Sequence, residues 1–406
     1  MDRRSLLATT AGLLTASSAG CLRLSNQKRA TATPSEAGTE GETTPDGEET
    51  EQDEEISGDI SGAPMFQYDA ANTGTSKDET GPQTPVGELW SFETGGSVEA
   101  PPAVVDGTVY VGSHDANVYA LRADDGTVQW SSDAWEDVRS SPAVVDGTVY
   151  VGEATVFALS AADGSQQWEY STEGNTTSSP AVGDGTVYVV THAGNVYALS
   201  AADGTEQWIS QTGASVTSSP GVVDGTVYVG GGDVFALSAA DGTQQWKHST
   251  GGYVNSSPAV VDDTVYVGDQ SDNAVYALSV ADGSERWTSR IGASVSSSPA
   301  VVDDTVYVGG TVYVGDNEDT VYALSAADGT EKWSYQTESG VNSSPTVVDG
   351  TVYVGDDHGT VYALSATDGT EIWSHRAGGR LASPVVVDGV VYVGSYGDTV
   401  YALSEQ

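Results

Sequence analysis

The sequence predicts an all-β fold: an eight-bladed β-propeller of four-stranded antiparallel blades, its ring closed by an N-terminal strand. Three observations lead there. Tryptophans at 90, 130, 168, 208, 246, 287, 333 and 373 mark copies of one phrase, at intervals of 40, 38, 40, 38, 41, 46 and 40 residues. A near-constant period of that length marks a repeat architecture. Each copy holds four short β-rich runs parted by turn residues, which is the content of one propeller blade. After the first twenty residues no apolar run has helical spacing.

One copy shows how each strand arises. Pro142-Ala143-Val144-Val145 is a short apolar strand whose proline stands at the entrance, where a missing N–H does least harm. Asp146-Gly147 is a two-residue hairpin turn, because Gly readily takes positive φ and Asp tolerates it. Thr148-Val149-Tyr150-Val151 is rich in β-branched and aromatic residues and forms the second strand. Val156-Phe157-Ala158-Leu159 is the third, Asp163-Gly164 turns again, and Trp168 lies in the fourth.

The ends of the repeat predict the closure. The last copy, Pro384 to Ser404, has three strands and no tryptophan, whereas Trp90 has no three-strand set before it. Trp90-Ser91-Phe92-Glu93 is therefore expected beside Val400-Tyr401-Ala402-Leu403, completing the eighth blade. A closed ring protects sheet edges that an open array would expose. Met65–Leu89 is left over and is expected to pack on the closing blade. The 46-residue interval has a local cause, since Thr305-Val306-Tyr307-Val308-Gly309-Gly310 is followed by Thr311-Val312-Tyr313-Val314-Gly315. Either copy of that phrase can serve as the second strand.

The composition is extreme. With 58 acidic and 14 basic side chains the formal net charge is −44. Such a chain repels nucleic acid, so no DNA or RNA partner is expected. The acids are spread through every repeat and only four residues are lysine, at 28, 77, 247 and 332. This pattern resembles salt-adapted proteins, in which a Debye length of about 3 Å in molar salt removes the self-repulsion.

The N-terminus reads as an address. Arg3-Arg4 precede a short apolar stretch to Gly20, which resembles a twin-arginine export signal over residues 1–20. The stretch is too short and too rich in Ser, Thr and Gly to span a membrane comfortably. Ser18-Ala19-Gly20-Cys21 resembles a lipoprotein processing box, with Ser where Leu is usual, and Cys21 is the only cysteine. An exported protein, lipid-anchored to the outer face of the cell membrane through Cys21, is the expectation. Residues 21–64 are acidic and poor in large apolar side chains, so they read as a disordered tether; residues 65–406 form the propeller.

The phrase Tyr119-Ala120-Leu121-Arg122-Ala123-Asp124-Asp125-Gly126-Thr127-Val128-Gln129-Trp130 resembles the repeat of quinoprotein (pyrroloquinoline-quinone-like) propellers, and eight concordant copies extend the likeness over residues 65–406. Gly-x-x-x-Trp is kept from Gly126/Trp130 to Gly369/Trp373. The resemblance implies that each tryptophan docks between neighbouring blades. Ser replaces the family's Asp after Ala-Leu (Ser160, Ser200, Ser238), which alters hydrogen bonds rather than the blade.

Two functional classes follow from the resemblance. One is a quinone- or metal-dependent oxidoreductase. Its catalytic members carry a quinone, calcium, a carboxylate and often paired cysteines; here the blades are nearly identical and only Arg139 and Arg380 are basic in the blade-joining loops. No quinone or calcium cofactor is therefore expected. The other is a non-enzymatic scaffold, a monomer that binds a protein or cell-envelope component, as in the bacterial outer-membrane assembly lipoprotein; a surface sensor or adhesion module is a third. The blade-joining loops and the loops between second and third strands share one face and hold nearly all the variation. Trp135, Arg139, Tyr253, Arg380 and Tyr396 are the candidate binding residues there, aromatics and arginines being common hot-spot types. His114, His192 and His358 occupy equivalent turns, read as turn residues, and no metal site is expected.

The charge reading is testable without a ligand. The melting temperature should rise as chloride is raised from about 0.1 M to about 3 M; a melting temperature flat in salt would refute it.

Overall fold

The computed structural model describes residues 62–134, 136–176, 178–213, 215–310 and 319–406. Within them eight antiparallel four-stranded sheets follow one another in sequence order, and no helix occurs. Blade 2 is typical: Ala143–Val145, Thr148–Gly152, Thr155–Ser160 and Gln166–Ser171. The innermost strand has three residues and the next two are almost wholly buried. The outermost strand exposes every other side chain and buries its tryptophan. At the hairpin Asp146 and Gly147 have φ of 50° and 72°, the type I′ signature that the Asp-Gly pair supplies.

The eighth blade closes as expected. Val86–Glu93 pairs with Thr399–Glu405, with Trp90 opposite Ala402. In the sixth blade the first copy of the duplicated phrase, Thr305–Gly310, forms the second strand. The second copy, from Thr311, lies outside the described residues.

Tryptophan joins each blade to the next. Trp130 donates its indole N–H to the Ala161 carbonyl of the following blade at 2.9 Å, and Trp168, Trp208, Trp246, Trp287 and Trp333 repeat the bond. The ring lies on the glycine of the neighbour's last turn: a Cβ on Gly164 would stand 2.5 Å from the Trp130 ring. All eight tryptophans are at most 9% exposed. Burying one removes about 150–250 Å² from water, roughly 4–6 kcal/mol each. Trp90 uses Ala123 of the first blade. Trp373 would need the last turn of the eighth blade, but there the outer strand, Val86–Glu93, comes from ahead of the first blade and no such turn exists. It donates instead to the Pro82 carbonyl at 2.9 Å, as does the Tyr353 hydroxyl at 3.2 Å.

The segment ahead of the closing strand does more than pack on the eighth blade. The inner strand of every blade faces the channel with an unpaired edge, and buried N–H groups need acceptors. Gly62–Ala63 pairs with Ala103–Val105 of the first blade. Pro64, Ala70, Ala71, Thr73 and Gly74 then offer carbonyls to the N–H groups of Val144, Val222, Val260, Val301 and Val347. The Tyr68 hydroxyl both donates to the Val386 carbonyl and accepts from the Val386 N–H, each at 2.8 Å. Asn72 donates to the carbonyls of Pro220 and Pro258, and Gln67 to those of Ser298 and Pro299. One strap thus fastens seven blades from inside and plugs the channel.

A serine belt adds a third tie. The Ser141 N–H donates to Ser179 Oγ, and the step repeats through Ser219, Ser257, Ser298 and Ser344 to Ser383, at 2.8–3.0 Å. The first blade has Pro101 at this position, which has no N–H to give and no hydroxyl to receive. Ser141 Oγ is accordingly buried without a partner.

Pro101→Ser should restore both missing links. Each bond contributes about 0.5–1.5 kcal/mol, against about 0.4–1 kcal/mol lost with the proline. The variant should melt above the parent and above Pro101→Ala, which returns only the N–H. Thermal unfolding that ranks P101S at or below P101A would show that the gap costs nothing.

Candidate functional site

The two faces of the ring differ in kind. One carries the Asp-Gly hairpins and the strap. On the other, in five blades the loop entering the blade is stitched to the loop between its second and third strands. The His114 N–H donates to Ser97, His192 to Asn175, Gln270 to Tyr253, Asp357 to Gly340 and Tyr396 to Arg380. The stitches are backbone bonds, so they fix the loops without dictating their side chains.

Between blades 7 and 8 they bring Arg380, Tyr396 and Asp357 together. The Arg380 guanidinium lies 4.7 Å from the centre of the Tyr396 ring, and its Nε is 3.0 Å from Asp357 Oδ1. Asp357 Oδ2 accepts from Asn342 Nδ2 at 2.9 Å, and Asn342 Oδ1 accepts from Ser296 Oγ at 3.0 Å. The arginine is thus held flat by a charge on one side and an aromatic face on the other. Burial pushes the Tyr396 hydroxyl above its ordinary value, Arg380 opposes this, and Glu99 and Asp357 add to it. Glu99 itself faces His114 Nε2 at 3.3 Å.

A second group forms between blades 2 and 3. Arg139 pairs with Asp137 at 3.3 Å, and its backbone N–H donates to Glu153 Oε1 at 3.0 Å. Glu153 is only 8% exposed. Burial pushes its carboxyl up to about 7; Arg139 opposes this, and Glu136 and Asp137 raise it further. A cavity of about 370 Å³ opens here, lined by Glu136, Asp137, Arg139, Glu153, Asn175 and His192.

The expected binding residues therefore share a face but not a site. Arg380 and Tyr396 meet; Arg139 belongs to the second group. Tyr253 lies across the ring, half-buried, with its hydroxyl on the Ser215 carbonyl at 2.8 Å. Trp135 lies outside the described residues, as do Arg3, Arg4 and Cys21. Among the described residues no three His, Cys, Asp or Glu side chains gather in a way that could hold a metal ion. Glu153 escaped the sequence reading, although a signal was present: the other seven blades have Ser113, Thr191, Gly231, Asp269, Gly310, Asp356 and Ser395 at the end of the second strand.

Comparison with known proteins adds the following. The family profile described as outer membrane protein assembly factor BamB matches residues 86–212, 133–250, 192–311 and 305–406. No curated protein matches the chain. BamB from Moraxella catarrhalis superposes with a TM-score of 0.67 at 19% identity, covering 79% of this chain and 99% of that one. Quinohemoprotein alcohol dehydrogenase from Comamonas testosteroni gives 0.70 at 17%, covering 84% and 80%. A europium-containing methanol dehydrogenase gives 0.71 at 13%, covering 85% and 98%. At these identities the likeness establishes the fold alone.

The raised Glu153 carboxyl has a stability consequence. The folded protein keeps a proton that the unfolded chain releases near pH 4.5, so stability falls as pH rises from about 4.5 to about 7. Glu153→Gln should flatten that slope and be more stable than the parent at pH 8, by on the order of 1 kcal/mol. Urea unfolding at pH 5 and pH 8 measures it; parallel pH profiles for the two proteins would contradict the assignment.

Proposed function

This chain belongs to the family of the outer membrane protein assembly factor BamB, and from that premise we propose that it is a non-enzymatic scaffold whose loop face binds a protein or cell-envelope component. The observation that carries this reading is the contrast between the faces. The strap fills the channel from the hairpin side, while the loop side offers an arginine stacked on a tyrosine and braced by Asp357. Arginine and tyrosine held in place lose little freedom on binding, which is what makes such residues interface anchors.

Under the same reading residues 1–20 direct export and Cys21 takes the lipid. Residues 21–61 are the tether, the expected tether residues 62–64 having joined the strap, and the acidic surface adapts the protein to high salt. The strap enters at Gly62 beside Val105, at the hairpin end of the first inner strand.

The alternative is a quinone-dependent oxidoreductase, after the dehydrogenases that share the fold. The donor set does not suit it. The quinone is a polycarboxylate, and the loop face meets it with Glu99, Glu153 and Asp357 and with two arginines already paired to Asp137 and Asp357. Charge of that sign disfavours the cofactor.

A photo-crosslinking residue at Tyr396 should capture a discrete partner in intact cells, and the same residue at Thr127 on the opposite face should not. Arg380→Ala should reduce the capture at least tenfold. Equal capture from both faces would defeat the scaffold reading. So would saturable dye-linked alcohol oxidation after reconstitution with quinone and calcium.

A further inference from the structure

In six of the eight blades the second strand ends on a buried polar residue, Gly231 and Gly310 standing there in the other two, and the polar side chain usually bonds within its own blade. Asp356 Oδ1 accepts the N–H groups of His358 and Thr360, and its Oδ2 accepts the Tyr362 hydroxyl. Ser395 Oγ donates to the Gly378 carbonyl and accepts from the Gly397 N–H. Ser113 and Thr191 are likewise bonded within their loops. Asp269 Oδ1 accepts three N–H groups and its Oδ2, sealed from solvent, accepts none.

Glu153 breaks the pattern. Its side chain is longer by one or two atoms, and it takes only one hydrogen bond, from the Arg139 N–H to Oε1. Its Oε2 has no hydrogen-bond partner among the described residues, and the side chain lines the 370 Å³ cavity. Unlike Asp269 Oδ2, this oxygen is not sealed from solvent, so a donor arriving through the cavity can reach it. The cavity wall shows which kind. Glu136, Asp137 and Glu153 oppose a single arginine, and that guanidinium is turned to Asp137. An anion is repelled. A multivalent metal would need three converging ligands, and none of the groups described provides them. A compact cation that brings its own N–H donors fits.

We propose that this cavity binds a primary ammonium group, supplied by a lysine of a partner protein or by a free polyamine, with Glu153 Oε2 as its buried acceptor and Glu136 and Asn175 at the rim. The inference rests on the loop face being the binding face, and it names the chemistry of one contact there. The charged and titratable groups facing Glu153 are Glu136, Asp137 and Arg139 from the loop entering blade 2, and His192 from the turn of blade 3. Binding should therefore strengthen as pH rises through neutrality and the carboxyl ionises. This contact is local, so it can fail while the Arg380–Tyr396 surface still captures a partner, and the reverse.

The test uses the full chain labelled with ¹³C at glutamate Cδ, the Glu153 signal being assigned from Glu153→Gln. Two probes are titrated at constant ionic strength, putrescine and a pentapeptide with a central lysine. Tetramethylammonium, which has no N–H, is the control. At pH 8 at least one amine should shift the Glu153 resonance saturably, and at least tenfold more weakly at pH 5.5. Tetramethylammonium should bind at least tenfold more weakly than that amine. Tighter binding of putrescine points to a free polyamine, and equal or tighter binding of the peptide to a partner's lysine. Glu153→Ser, the residue that blades 1 and 8 carry at this position, keeps the fold testable and should abolish saturable binding, read from the remaining glutamate signals. A non-saturating shift with both amines, or equal affinity for tetramethylammonium, or unchanged affinity in the serine variant, would overturn the proposal.

Discussion

The structure depends on one contact made seven times, an indole ring lying on a glycine of the next blade with its N–H on the carbonyl three residues before that glycine, and on an eighth indole, Trp373, whose N–H goes to Pro82. The contact is directional. Each blade donates forward and receives from behind, so a ring of such blades is complete only if the last donor finds an acceptor. The eighth blade takes its fourth strand, Val86–Glu93, from ahead of the first blade, so no turn joins it to Thr399–Glu405. The residues before the closing strand supply the missing carbonyl, and Glu405 receives the N–H groups of Gln83 and Thr84. Closure therefore needs two elements from the N-terminal side, a strand to fill the sheet and a turn to receive Trp373.

The same stretch of chain settles the inside of the ring. A propeller's inner strands are edges, and a row of buried, unpaired N–H groups is costly. Here the strap takes one N–H from blade after blade, and the side chains of Gln67, Tyr68 and Asn72 reach the positions that its backbone does not. Because the strap both enters and leaves on the hairpin side, that face becomes structural and the other is left to vary.

This division explains what could be read in advance. The blade count, the hairpins, the closing strand and the packing role of the tryptophans are periodic or follow from a count of strands. The strap is neither. Residues 62–84 contain only Met65, Phe66 and Tyr68 as large apolar side chains, and their partners are backbone groups of seven different blades, which no local pattern encodes. The serine belt was visible as Ser-Ser-Pro, but its direction across blades depends on the spacing between inner strands. The loop face was found because its letters vary; which of those letters meet was not. Arg380 and Tyr396 are sixteen residues apart and join through a backbone stitch, while Arg139 is hydrogen-bonded through its N–H to Glu153 in another blade and touches Tyr396 only through its field.

Uniform repeats also sharpen the meaning of a departure. Where seven copies share a solution, the eighth can be compared with them as a control built into the same molecule. Pro101 is such a departure, and its effect is an orphaned hydroxyl on the neighbouring blade. Glu153 is another, and its effect is the reverse. Serine, threonine or aspartate at that register can be satisfied inside the turn, so the fold asks for nothing longer. A glutamate there places a carboxyl beyond the reach of its own turn, in a loop pair already crowded with negative charge, at a cost in stability above neutral pH. Packing gives no reason for that cost. A cation arriving from outside would offset it, and the residues that line the cavity belong to the loops of that face.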